Sequence, residues 1–332
     1  MQYFLGIDQG GTATRAAICT GDGTVVGAAT GGPSVFYLDD PRNESSQRVR
    51  ELAEKISADA GLDADCVTAV CGGLTGVDWP HEITIHEKRL SEKLHVTDII
   101  VTNDSIIALR AGTNNANRCI VCAGTGLNIA VHTSDNTEYT YGYFIPDRLQ
   151  GGLALGQAVI DTVIEAEAGF RPPTLLTGIL LSCSGCASVE QFLIACTTRK
   201  MIFARQTLVP GLLRSAIAGD DAANSIIDIF TSGISSCLES ALTRFFPPGC
   251  KVDLVYSGGV FKGSGKIIAD AITKTLTADF PKINCINARL EPVAGALLIL
   301  LDRLYNGNIP VDVMETFERG CDTHGLFRDT AL

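Results

Sequence analysis

The 332-residue chain is poor in aromatic side chains (6%), with one tryptophan, three methionines and five scattered histidines. So few histidines, so far apart, exclude a histidine-built zinc centre. Basic residues are also in deficit: 26 Lys and Arg against 37 Asp and Glu leave a net charge of -11. That balance argues against nucleic acid or an anionic membrane as the main partner, since both are gripped by clustered cations. It does not argue against a phosphorylated ligand, because backbone N–H groups and a metal ion can hold phosphate without basic side chains. No run approaches the roughly 18 uncharged apolar residues of a membrane span. The chain begins at once with a strand-like segment, which reads as a cytoplasmic protein without a leader.

What is present points to a globular protein with many tight turns: 46% apolar residues and 34 glycines. The length suits two domains of about 100–200 residues. Twelve cysteines read as reduced thiols, mostly small buried hydrophobes. Two CxxC spacings occur. Cys119 and Cys122 fall in a strand pattern that puts them on opposite faces, and Cys183 with Cys186 lack a second ligand pair nearby.

Along the chain, residues 2–7, 13–19 and 24–30 read as successive strands, joined by a Gly10-Gly11 bend and by the Asp-Gly signal in "TGDGT". A helix is expected over 43–60, a buried strand in "CVTAVCGG", a polar helix over 80–92, the strand "DIIVTN", and a helix capped by Asn103 or Asp104. A second series follows: strands "CIVCAGTG", "LNIAVHT" and "TEYTYGY", helices over 150–168, 202–218 and 222–246, the strand "VDLVYS" and a closing helix over 291–305. A strand, a Gly/Thr bend and a strand therefore occur twice. The expectation is an α/β fold of duplicated mixed-sheet lobes, 1–113 and 114–332, with a central cleft and a helical insertion in the second lobe. The final helix packs back on the first.

The first bend, in "FLGIDQGGTATRAAI" (4–18), carries an acid, two glycines and two threonines. Glycine lets the backbone approach a ligand closely and form a nest of N–H donors, and the Thr12 and Thr14 hydroxyls add more. Asp8 repels phosphate directly but can hold Mg²⁺ through water. An ordinary hairpin with Asp and Thr satisfying turn amides is the simpler alternative. The second bend, "AGTGLN" (123–128), faces the first and favours a polyphosphate clamp, while Gly258-Gly259 offer flat backbone for a purine.

"GIDQGGTATRAAI", "GGLTGVDWP", "VTNDSIIAL", "CAGTGLNIA" and "YSGGVF" stand in the order and spacing of the BadF/BadG/BcrA/BcrD-type ATPases. The chain resembles that family from residue 2 to about 300. The family includes the N-acetylglucosamine kinases and lies within the actin-like ATPase and sugar-kinase superfamily, of ribonuclease H-like fold. The resemblance implies a role for each matching position. Asp8, Gly10, Gly11 and Thr12 would form one phosphate loop, with Asp8 toward Mg²⁺, and Gly124, Thr125 and Gly126 the other. Gly258, Gly259 and Gly295 would face adenosine, and Asp104 would take the proton of the acceptor hydroxyl. Thr75 and Gly76, in "GGLTGVDWP", and Asp147 would belong to the acceptor pocket.

The sequence departs from that family's sugar kinases in two places. Val35 and Phe36 stand where a "GPSN"-like turn carries asparagine, and Arg148, Leu149 and Gln150 follow Asp147 where "GDEGS" is usual. Both changes suggest a less polar or negatively charged acceptor. ATP and Mg²⁺ are the implied cofactors, and a small sugar derivative the implied partner, with a homodimer compatible. A nucleotide-switched activator of a partner enzyme, with an iron–sulfur cluster, and a non-catalytic binding regulator are the competing readings.

Overall fold

The structure is a computed structural model that describes residues 2–33, 43–63 and 65–328. Two five-stranded mixed sheets form its frame. The first comprises β1 (Tyr3–Gln9), β2 (Thr14–Thr20), β3 (Val25–Gly31), β4 (Val67–Leu74) and β5 (Ile99–Asn103), in the order β3-β2-β1-β4-β5. The second comprises β6 (Arg118–Ala123), β7 (Leu127–His132), β8 (Glu138–Thr140), β9 (Val252–Ser257) and β10 (Ile283–Asn287), in the order β10-β9-β6-β7-β8. Renumbered from its own first strand, the second sheet has the same order as the first. In each, a leading hairpin pairs antiparallel and the following strands pair parallel.

The helices are α1 (Glu44–Asp59), α2 (Pro80–Leu94) and α3 (Asp104–Gly112) in the first half. The second half carries α4 (Gly151–Glu167), α5 (Leu176–Ser184), α6 (Val189–Thr197), α7 (Val209–Ile217), α8 (Asp221–Phe245) and α9 (Lys266–Asp279). Helices α10 (Pro292–Leu304) and α11 (Val311–Thr323) close the chain. One face of the first sheet packs Leu5, Ile7 and Val70 on Val49, Leu52 and Ile56 of α1 and on Leu90 and Leu94 of α2. The other face packs Phe4, Cys19 and Cys71 on α10 and on Phe317 and Cys321 of α11. Helix α3 turns Ile106, Ala108 and Leu109 to Ile120, Ala130 and Val255 of the second sheet. The lobes therefore meet through α3 and α10, each covering one sheet. Arg110 of α3 clamps Asp302 of α10 bidentately, Nε–Oδ2 at 2.5 Å and Nη2–Oδ1 at 3.0 Å, which fixes the crossing as well as adding attraction.

Several expectations change. Residues 202–218 are not one helix: a 3-10 turn (Arg205–Leu208) precedes α7, which has Pro210 in its first turn, where a missing N–H costs nothing. The strand expected over 137–143 stops at Thr140, and the chain enters a 3-10 turn at Gly142–Phe144. Cys183 is exposed and Cys186 half-buried, not the small core residues expected. Helices α5, α6, α9 and α11 and strand β10 are elements the patterning did not single out. No single helix among the described residues is long and apolar enough to cross a membrane.

Gly295, expected at the adenosine, serves the helix crossing instead. It is buried, and a Cβ there would lie 1.9 Å from the Ile107 carbonyl oxygen and 2.8 Å from the Ala111 nitrogen. The α3 backbone occupies the space an adenosine would need. A Gly295→Ala protein should therefore lose at least about 1–3 kcal/mol of stability, the usual cost of overpacking. A lowered denaturation midpoint checks this; an unchanged one would show that the helices separate freely.

Candidate active site

The hairpin bends lie at the mouth between the lobes. In the first, the Gly10 amide donates to the Ala13 carbonyl at 2.9 Å, leaving Gly11 and Thr12 exposed at the tip. In the second, the Gly124 amide donates to the Gly126 carbonyl at 3.0 Å. Its outward carbonyls, on Gly124 and Thr125, accept from the amides of Gly152 (2.8 Å) and Leu153 (3.0 Å) at the start of α4. Gln150 anchors the same loop, accepting from the Leu127 amide and donating to the Ile145 carbonyl. With its carbonyls engaged, the loop keeps the Thr125 and Gly126 amides for an anion. Gly258 has φ of 101° and its backbone touches Ala123, where a Cβ would come within 2.2 Å of the carbonyl oxygen. Only glycine fits there.

A cleft of about 620 Å³ is lined by Thr12, Gly124, Thr125 and Gly259 together with Gln206, Arg214, Lys262 and Ser264. Loop residues of both halves and Gly259 of the third glycine pair thus share one cavity. Sequence reasoning missed the last four. Lys262 and Ser264 lie in "GGVFKGSG", whose continued glycine content was the available signal; Gln206 and Arg214 gave none.

β5 delivers Asn103 and Asp104 to the start of α3, with Asp104 near enough to Asp8 for their charges to repel. Asn103 is the N-cap of α3, its Oδ1 accepting from the Ser105 amide at 2.9 Å, so the cap does not depend on the Asp104 carboxylate. Thr75 Oγ1 donates to Asp104 Oδ2 at 2.5 Å. Burial raises the Asp104 pKa above the ordinary carboxylate range, and the Thr75 hydroxyl and nearby amides moderate the rise. A carboxylate raised in pKa and aimed by a hydroxyl donor is a better proton acceptor than one free in water. Gly76, at φ of 82°, turns the chain after Thr75.

Asp8 stands on β1 opposite Arg15 on β2. Burial, then repulsion from Asp104, pushes its pKa up to about 7; Glu291 adds to the rise, while Arg15 and Arg328 oppose it. Arg15 donates to Glu291 at 2.5 Å, and Lys262 (3.9 Å) and Arg328 (3.7 Å) approach the same carboxylate. Among the described residues no group of three or more His, Cys, Asp or Glu could hold a metal ion. A lone, strained carboxylate beside phosphate loops nevertheless suits Mg²⁺, which takes one or two carboxylates and keeps its waters and phosphate ligands.

On the acceptor side, Asp147 and Arg148 are exposed on a 3-10 turn (Asp147–Leu149). The inner wall is formed instead by Asp78 and Asn103. Asn103 donates to Asp78 Oδ1 at 2.9 Å and accepts from Asn128 at 3.0 Å, and Asn128 accepts from the Gly142 amide at 2.7 Å. This chain of bonds crosses between the lobes. Asn103 and Asn128 had not been assigned to this wall from the sequence. Val35 and Phe36 lie outside the described residues.

Duplicated sheets, facing glycine bends and a carboxylate between them define the two-lobed actin-like ATPases, whose cleft holds ATP. The chain belongs to the BadF/BadG/BcrA/BcrD ATPase family, whose sequence profile matches residues 5–299. It is 25% identical over 318 residues to an N-acetyl-D-glucosamine kinase of Dictyostelium discoideum, covering 91% of this chain and 98% of that protein. It is 25% identical over 307 residues to an N-acetylmuramic acid/N-acetylglucosamine kinase of Clostridium acetobutylicum, covering 90% and 98%. Its fold matches the crystal structure of a candidate N-acetylglucosamine kinase from Chromobacterium violaceum with a TM-score of 0.67 at 23% identity, over 90% of this chain and 99% of that one.

Asp8 gives a pH test. Its folded pKa, about 7, lies above the ordinary value near 4, so folding favours the protonated form. The stability it contributes is full below about pH 4 and is lost as pH rises through about 7. Asn mimics the protonated acid, so Asp8→Asn should match the parent near pH 4 and become the more stable protein toward pH 8, without metal or nucleotide. One pKa unit is about 1.4 kcal/mol, and the residual exposure of Asp8 reduces the gain below the full shift. Denaturant midpoints at the two pH values read it; parallel curves would refute the strained carboxylate.

Proposed function

We propose that this protein transfers the γ-phosphoryl group of ATP to a hydroxyl of an N-acetylated amino sugar or a close derivative. The observation that carries the reading is Asp104, half-buried and bonded to Thr75, close enough to Asp8 at the foot of the first glycine bend for their charges to repel, beside a cleft that both glycine bends line. The two kinase relatives, matched over nearly their whole length, support the sugar class.

Phosphoryl transfer needs an in-line hydroxyl, charge neutralisation and little covalent help. The amides of Gly11, Thr12, Thr125 and Gly126 hold the phosphates, while Gly10 and Gly124 close the two bends with their own amides. Asp8 would hold Mg²⁺ through water, and the ion would supply neutralisation of charge on the phosphate oxygens. Asp104 accepts the acceptor's hydroxyl proton as the new P–O bond forms; the bond to the bridging oxygen breaks and ADP departs. Thr75 aims the carboxylate. Gly76 and Asp147 act in the acceptor pocket, Asp147 reaching it on lobe closure. Gly258 and Gly259 accept the adenine face.

Asp104→Asn keeps the shape, and Asn103 still caps α3. With the proton acceptor removed, kcat should fall about 10²–10⁴-fold while nucleotide affinity stays nearly constant. Transfer of labelled phosphate to N-acetylglucosamine, with calorimetry of nucleotide binding, measures both. Near-normal turnover in the variant would overturn the mechanism.

A further inference from the structure

The chain is poor in aromatics, yet it gathers them at one place. Trp79, the only tryptophan, sits in the first lobe between β4 and α2. Its amide and that of Asp78 both donate to Glu82 of α2, at 2.9 and 2.8 Å. Across the cleft, the 3-10 turn after β8 presents Tyr143 and Phe144. Trp79 and Tyr143 lie parallel, at 7° with centroids 6.1 Å apart, and Phe144 meets Trp79 edge-on at 6.0 Å. All three are exposed: 39%, 67% and 59%. Behind them Tyr139 packs on Phe144 and under the Arg244 guanidinium, which is 4.5 Å from its ring. Three large apolar side chains left open to water form a patch that normally marks a binding surface.

The patch is the outer part of a groove of about 320 Å³ whose inner wall is Asp78 and Asn103. Asn103 directly precedes Asp104. The groove is thus polar at the reacting end and aromatic at the mouth, with one ring from the first lobe and two from the second. Building on the kinase reading, we infer that it is an acceptor subsite: the sugar's polar edge meets the inner wall, and an apolar substituent, either an N-acyl group longer than acetyl or a glycosidic aglycone, packs on Trp79, Tyr143 and Phe144. Aromatic faces favour such groups by area and by ring geometry. Continuity with the Asp104 end favours an acceptor substituent over a separate protein partner, and a narrow concave groove suits a small group better than a flat interface. Two lobes that each supply a ring grip the substituent as they close.

The test compares N-acetylglucosamine, N-butanoylglucosamine and the phenyl β-glycoside of N-acetylglucosamine as acceptors for the full-length protein and a Tyr143→Ala/Phe144→Ala variant. At least one apolar derivative should exceed N-acetylglucosamine in kcat/KM by about 3- to 10-fold, and the variant should lose that preference. Which derivative gains identifies the sugar position facing the groove. If neither gains, or if the preference survives in the variant, the subsite is wrong while the kinase reading stands. If no acceptor turns over, the kinase reading fails, and Trp79 emission still decides the subsite. A change with either apolar derivative, absent with N-acetylglucosamine at the same concentration, supports it; identical emission with all three overturns it.

Discussion

One buried amide organises the site. Asn103 accepts from the Ser105 amide and hydroxyl and from Asn128, and donates to the Val77 carbonyl and to Asp78. Those bonds cap α3, hold the Asp78–Trp79 loop and tie the first lobe to the second. A buried amide left with open positions would cost free energy at each, so all these partners are fixed together. The neighbouring Asp104 inherits that rigidity. Its carboxylate stands at a helix start, where the positive end of α3 favours negative charge, with its orientation set by Thr75.

A second knot lies beside the first glycine bend. Glu291, at the N-cap position of α10, draws in Arg15 from the first hairpin, Lys262 from the cleft wall and Arg328 from the end of the described chain. Arg15, Lys262 and Arg328 around this one carboxylate offset the acids beside them, Asp8 and Asp104. The neighbourhood of Asp8 is therefore less negative than the protein as a whole, which favours a polyanionic ligand in an acidic protein.

Much of this was legible in the sequence. The hairpin bends announced themselves because glycine and threonine at a turn between apolar strands have few other uses, and Gly124, Thr125 and Thr12 share a cleft. The ends of α8 and α4 were read closely, since Asp220 and the glycine pair at 151–152 are strong boundary signals. What stayed hidden depends on long-range contacts. Gly295 reads like any glycine after a proline; only the α3 backbone against it reveals its use. Asn103 and Asn128 are 25 positions apart, and nothing local says that they bond. β10, "INCIN", alternates too weakly to identify an edge strand. The aromatic turn at 142–144 looked like a strand because tyrosines favour strands, but Gly142 lies against Asp78, where a Cβ would be 2.6 Å from its carboxylate.

The first lobe is completed by the far end of the chain. One face of its sheet is covered by α10 and α11, so residues from before 113 and after 290 share one core. The second lobe has its largest core wholly within residues 119–276. During synthesis the first sheet is made before the second, but its lid of Val293, Leu297, Leu301 and Phe317 emerges only after the second sheet is complete. Until then Phe4, Ala17, Cys19 and Cys71 line an uncovered apolar face, and the nascent first lobe is the aggregation-prone species. The order of the genetic text and the order of stable assembly are reversed for the two lobes: the one translated second is the first that can finish folding.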